Sequence, residues 1–181
     1  LPCLPDTAAA GVLRGWDLCY DLESCGATLF ERFYRALFAE VFGSACGAEV
    51  ARFLLEETNT IADFYANFDA VLLDTRSVWY GSAGRDALWR TVAAATLVDA
   101  ARPWGEERRV NMSHLLYGGR LPRWLGFDRG PIALPGGRAT VHQGQLYRAG
   151  GRATTFAPSY RIVTDFGENV AHTCLAGGPS D

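Results

Sequence analysis

No lysine occurs anywhere in this chain; all 17 of its basic side chains are arginine. Arginine does not give up its proton in a protein, so Schiff-base chemistry and lysine general-base mechanisms are excluded within these residues. Codon bias in a GC-rich genome accounts for the substitution as simply as any function does. Methionine is nearly absent too, with Met112 the single one, and Leu1 is therefore expected to be a processed or truncated start. The sequence has no signal-peptide pattern and no run of 18 or more apolar residues, so no membrane span is expected. A basic excess is also missing. The net charge of −3 leaves nothing to neutralise a phosphate backbone, which argues against nucleic acid as a partner.

Several catalytic signatures are missing as well. G-x-S-x-G does not occur, and Gly178-Pro179-Ser180-Asp181 is not a nucleophile elbow. Gly81-Ser82-Ala83-Gly84-Arg85 lacks the frame of a phosphate loop. No D-x-D or calcium-loop pattern is present. The cysteines are Cys3, Cys19, Cys25, Cys46 and Cys174, with no C-x-x-C and no zinc-like Cys/His spacing, so neither a metal nor another cofactor is expected. An odd count leaves at least one thiol unpaired in a monomer. Cys19 and Cys25 are near enough for a local disulfide, with free thiols as the alternative.

With 49% apolar and 20% charged residues, the chain can build a core and does not read as disordered. Its first half has helical spacing. Ser24 is a plausible N-cap, followed by a helix through Phe30, Tyr34, Leu37 and Val41 and a stop at Gly43. Leu29, Phe33 and Phe38 widen its apolar face, so it is expected to be buried on more than one side. A second helix is expected from Glu49 to Glu57. A third follows Asn59 or Thr60, with Ile61, Phe64, Phe68, Val71 and Leu72 on one face. A fourth runs from Arg85 to Ala101, closed by Pro103.

Past Pro103 glycine and proline accumulate, and short strand-like runs appear at 139–147, 159–166 and 169–176. Gly167-Glu168-Asn169 is a tight connection, so the last two runs should form a hairpin. Helices first and strands last predict α+β. The chain divides into a mainly helical segment, 1–104, and a segment of Gly/Pro-rich loops and strands, 105–181, within one structural unit. One hairpin and one strand make a thin sheet with exposed edges, so the strands are expected to belong to a sheet completed by other sequence.

Histidines occur at His114, His142 and His172. A Ser-His-Asp set can be written from Ser159, His142 and Asp165, and a Cys-His pair from Cys174 and His172. Neither pattern comes with an evident oxyanion hole. Each histidine has a plain structural reading. His142 stands apart because it lies in T-V-H-Q, just after a Gly pair.

The tail from Gly130 carries G-P-I-A-L-P-G, T-V-H, then P-S-Y-R-I-V-T-D and L-A-G-G. Upstream, Trp16 to Phe30 reads W-D-x-x-Y-D-x-x-S-x-x-A-T-L-F, Leu72 to Tyr80 reads L-L-D-T-R-S-V-W-Y, and Trp104-Gly105 is followed by His114. This ordered set resembles the C-terminal part of the large chain of penicillin acylases (penicillin amidases), with Thr75 where the family usually has Pro.

The resemblance implies an N-terminal-nucleophile hydrolase, a four-layer αββα sandwich to which the strands would belong, and cleavage of an amide in an acylated small molecule. It implies attack by an N-terminal Ser whose own α-amine is the base, with an Asn side chain and a backbone N–H as oxyanion hole. Leu1 cannot be that nucleophile, and no position here accepts either role, so no catalytic residue is assigned. The implied partners are the remainder of the acylase, meaning upstream large-chain sequence and a small chain, together with an acyl-amide substrate. The implied compartment is the periplasm or outside the cell. His142 is the one candidate substrate-pocket residue, orienting groups rather than acting as a base. The rival expectation is a non-catalytic binding module that docks through exposed strand edges.

Overall fold

The structure, a computed structural model, describes residues 4–56, 61–112, 114, 116–137, 140, 145–146, 153–156 and 162–173. Its architecture is α+β. Among the described residues six α-helices come in chain order: α1 (Ala8–Arg14), α2 (Cys25–Cys46), α3 (Ala48–Glu56), α4 (Ile61–Leu73), α5 (Arg85–Thr96) and α6 (Trp104–Glu107). A 3-10 segment, Val78–Ala83, joins α4 to α5.

Helix α2 organises the core. Its Leu29, Phe33, Leu37, Phe38 and Val41 are all buried, and Tyr34 and Phe42 are buried beside them. Residues 37, 38, 41 and 42 cannot share one narrow stripe, so the helix is wrapped on several sides, by α1, α3 and α5. Phe68 of α4 inserts among Tyr34, Phe38 and Phe42, with ring centroids 5.0–5.5 Å away. Trp79 closes the far end against Phe42 at 4.9 Å.

Two helix boundaries differ from the sequence expectation. Helix α2 passes through Gly43 and ends at Gly47, whose φ of 90° lies outside helical space and suits glycine. Helix α5 stops at Thr96 rather than Ala101. There the fully buried Leu97 leaves the helix, and its carbonyl accepts a hydrogen bond from Thr7 Oγ1 at 2.7 Å. Tertiary contact sets that end before Pro103 can. Thr7 also caps α1, a helix the sequence reading did not anticipate, by accepting from Ala10 N.

Among the described residues the strands form two sheets. Four of them, β1 (Arg109–Met112), β2 (Arg129–Ala133), β3 (Gln145–Leu146) and β4 (Ala153–Phe156), lie in the order β2-β1-β4-β3. The β1/β4 pair is parallel and the other two are antiparallel. Strands β1, β2 and β4 were not expected from the sequence. The last two, β5 (Ile162–Asp165) and β6 (Val170–Thr173), form the expected antiparallel hairpin, with Val163 opposite His172. All eight of its strand residues are exposed.

Candidate functional site

The W-D-L-C-Y-D turn folds around its own side chains. Trp16 Nε1 donates to Cys19 O at 2.8 Å, and Asp17 Oδ1 accepts from Cys19 N at 2.9 Å. This projects Tyr20 inward. Its ring meets Trp16 and Trp104 edge-on, both at 5.3 Å, and its hydroxyl donates to Glu31 Oε1 at 2.9 Å. Position 26 must be glycine for Trp16 to lie there, since a Cβ would come within 2.3 Å of the indole.

Trp104-Gly105 opens α6 directly against this turn. Trp104 N donates to Ser24 O, and Gly105 N to Leu22 O at 2.7 Å. The indole then reaches the L-P-G-G loop, donating from Nε1 to Gly136 O at 2.9 Å. Gly136 N in turn donates to Tyr20 O at 2.7 Å. Beneath the loop lies Arg108, fully buried. Its Nη1 donates to the carbonyls of Leu134, Pro135 and Gly136. Burial lowers the Arg108 pKa, and the Glu31 carboxylate opposes that shift. Its Nε and Nη2 have no hydrogen-bond partner among the described residues. Gly137 packs so closely on the Tyr20 ring that a Cβ would sit 2.8 Å from it. Three segments quoted for the family resemblance, far apart in sequence, thus meet in one clasp.

A shallow cleft of about 280 Å³ opens over this clasp, lined by Leu18, Cys19, Tyr20, Pro135, Gly136 and Thr140 among others. Its exposed Cys19 is a free thiol, pushed up in pKa chiefly by the Asp17 carboxylate. That keeps it protonated and a poor nucleophile. Cys25 is also a free thiol, so the local disulfide is not formed. The clasp binds one segment of the chain to another; among the described residues it brings together no nucleophile with a base.

His142, Gln143, Ser159 and Cys174 lie outside the described residues. Asp165, the acid of the written triad, is occupied by the hairpin turn: its Oδ1 accepts from Gly167 N and Glu168 N. His172 sits exposed on β6. His114 is structural. Its Nδ1 accepts from Leu116 N and Tyr117 N, and its ring stacks on Tyr117 at 5.0 Å. Among the described residues no group of three His, Cys, Asp or Glu is arranged for a metal ion, and no helix is long and apolar enough to cross a membrane. The sequence reading missed Arg108 and Glu31. Nothing in the local pattern separates buried Arg108 from exposed Arg109.

The family model for penicillin amidase matches residues 2–181. No curated protein and no solved structure matches the chain.

Proposed function

This chain belongs to the penicillin amidase family, a family of amide hydrolases, and from that premise we propose that it is the C-terminal segment of a penicillin-acylase-type amidase. The enzyme would hydrolyse the amide of an acylated small molecule, such as a β-lactam side chain or an acyl-homoserine lactone. The observation that carries this reading is the family match over nearly the whole chain. The clasp supports it: Tyr20, Trp104 and the Leu134–Gly137 loop, all from segments that resemble the family, hold one another directly. The chain's role is scaffold and a wall of the substrate site. The nucleophile and the oxyanion donors come from sequence outside it, and the strands belong to the αββα sandwich of the complete enzyme, exported to the periplasm or beyond.

The test uses chromogenic phenylacetyl and long-chain acyl amides. The purified chain should not turn them over, while the same chain assembled with upstream large-chain sequence and a small chain should. Turnover by the chain alone would contradict its non-catalytic role, and a silent assembly would contradict the amidase reading. In the active assembly His142→Asn should keep most activity and His142→Leu should lose much of it, because Asn and His can both donate and accept through short side chains. Equal activity of wild type and His142→Leu across several acyl substrates would remove His142 from the pocket. One observation favours the rival, a binding module: hairpin β5–β6 is exposed along its length. A monomer with a cooperative melt and no gain from upstream sequence would support that rival.

A further inference from the structure

We propose that the groove between α2 and the Val78–Ala83 segment binds a small organic cation, specifically an aryl-alkyl primary ammonium. The groove encloses about 550 Å³, within the size range of small-molecule sites. Trp79, Tyr80 and Leu88 supply an apolar wall, and Glu40, Ser44 and Thr91 supply polar groups. The wall is braced: Tyr80 is buried with its hydroxyl donating to Val71 O at 3.0 Å, and Trp79 leans on Phe42. Burial pushes the Tyr80 phenol up in pKa, so this hydroxyl stays neutral.

Among the described residues Glu40 is the one charged residue that lines the groove. Ser44 Oγ donates to its Oε1 at 3.1 Å on the exposed rim of the groove. No ion pair among the described residues involves Glu40. Every basic side chain of this chain is an arginine, and none lines the groove. An exposed carboxylate with no ion-pair partner among the described residues, beside an aromatic wall, favours a ligand with a cationic head and a flat apolar body. An ammonium would donate to Glu40, and its ring would lie against Trp79. A carboxylate ligand of the same shape would be repelled. The groove shares no lining residue with the cleft over the clasp, so the proposal does not depend on the amidase reading.

Two probes of matched shape and opposite charge test it, 2-phenylethylammonium and phenylacetate, each titrated into the 181-residue chain by calorimetry and amide NMR. The ammonium should bind saturably and shift the amide signals of Gly81 and Ser82, with phenylacetate at least about tenfold weaker. Glu40→Gln, at an exposed helix position, should weaken the ammonium by about tenfold, the worth of one charge-assisted hydrogen bond. Absence of saturable ammonium binding, equal affinity for both probes, or unchanged affinity in Glu40→Gln would each overturn the proposal. The two-probe comparison decides on the unaltered chain even if the variant folds poorly.

Discussion

Arg108 and Arg109 are neighbours of the same type, yet one is wholly buried and the other exposed. The difference is made by a loop 26 to 28 positions further on, whose three carbonyls converge on Arg108 Nη1. No window of local sequence contains that information, which is why the clasp was only half legible. Its aromatic members stood out as segments with a family likeness, while its buried charge did not. The energetic consequence is specific. Replacing Arg108 by Met keeps the bulk but strips the carbonyls of Leu134, Pro135 and Gly136 of a donor. An unpaired buried polar group costs about 1–3 kcal/mol, so Arg108→Met should lower stability by about that much or more in chemical denaturation. Gly136 retains one donor, Trp104 Nε1, so the loop should loosen rather than detach. Hydrogen exchange at Gly136 N–H, now held by Tyr20 O, should accelerate in the variant. Unchanged stability and exchange would mean the guanidinium clamps nothing.

At the level of elements, the helices were the legible part because their signals are local. Ser24 caps α2 through its side chain, accepting from Ala27 N at 3.2 Å, and the apolar spacing behind it follows the helical period. Ser24→Ala should therefore cost about 1 kcal/mol, seen as a lower melting temperature. A cost near zero would show that Trp104, whose N–H is held by Ser24 O, fixes the helix start by itself. The strands were less legible for a physical reason. Strand β1 has only Val110 buried among exposed residues, and β2 has no fully buried residue. Without a buried face there is no alternation to read, so these strands exist through pairing rather than pattern. The ends of α2 and α5 escaped prediction in the same way: Gly47 and Leu97 stop their helices through backbone conformation and tertiary contact.

At the level of the whole molecule, the helical core and the terminal hairpin are in opposite conditions. The core closes on itself around Phe68. The hairpin is exposed along both strands: Ile162 and Val163 point to opposite faces of one strand, yet both are more than half exposed, at 52% and 57%, and Phe166 is 92% exposed. A two-stranded ribbon of this kind has little stability of its own in water, and apolar side chains on both faces make it adhesive. On the proposed reading its destination is a sheet completed by other parts of an acylase. The free chain should accordingly self-associate as concentration rises, visible by light scattering after size exclusion. Replacing Val163 and Phe166 together by Thr and Ser should reduce that association without lowering the melting temperature of the helical core, since neither side chain belongs to it. In the assembled amidase the same pair of substitutions should do the reverse, removing buried apolar area and costing about 1.5–3 kcal/mol per side chain. A double variant that is equally neutral in both settings would show that the hairpin stays uncovered in the enzyme, and would favour a surface reserved for some other partner.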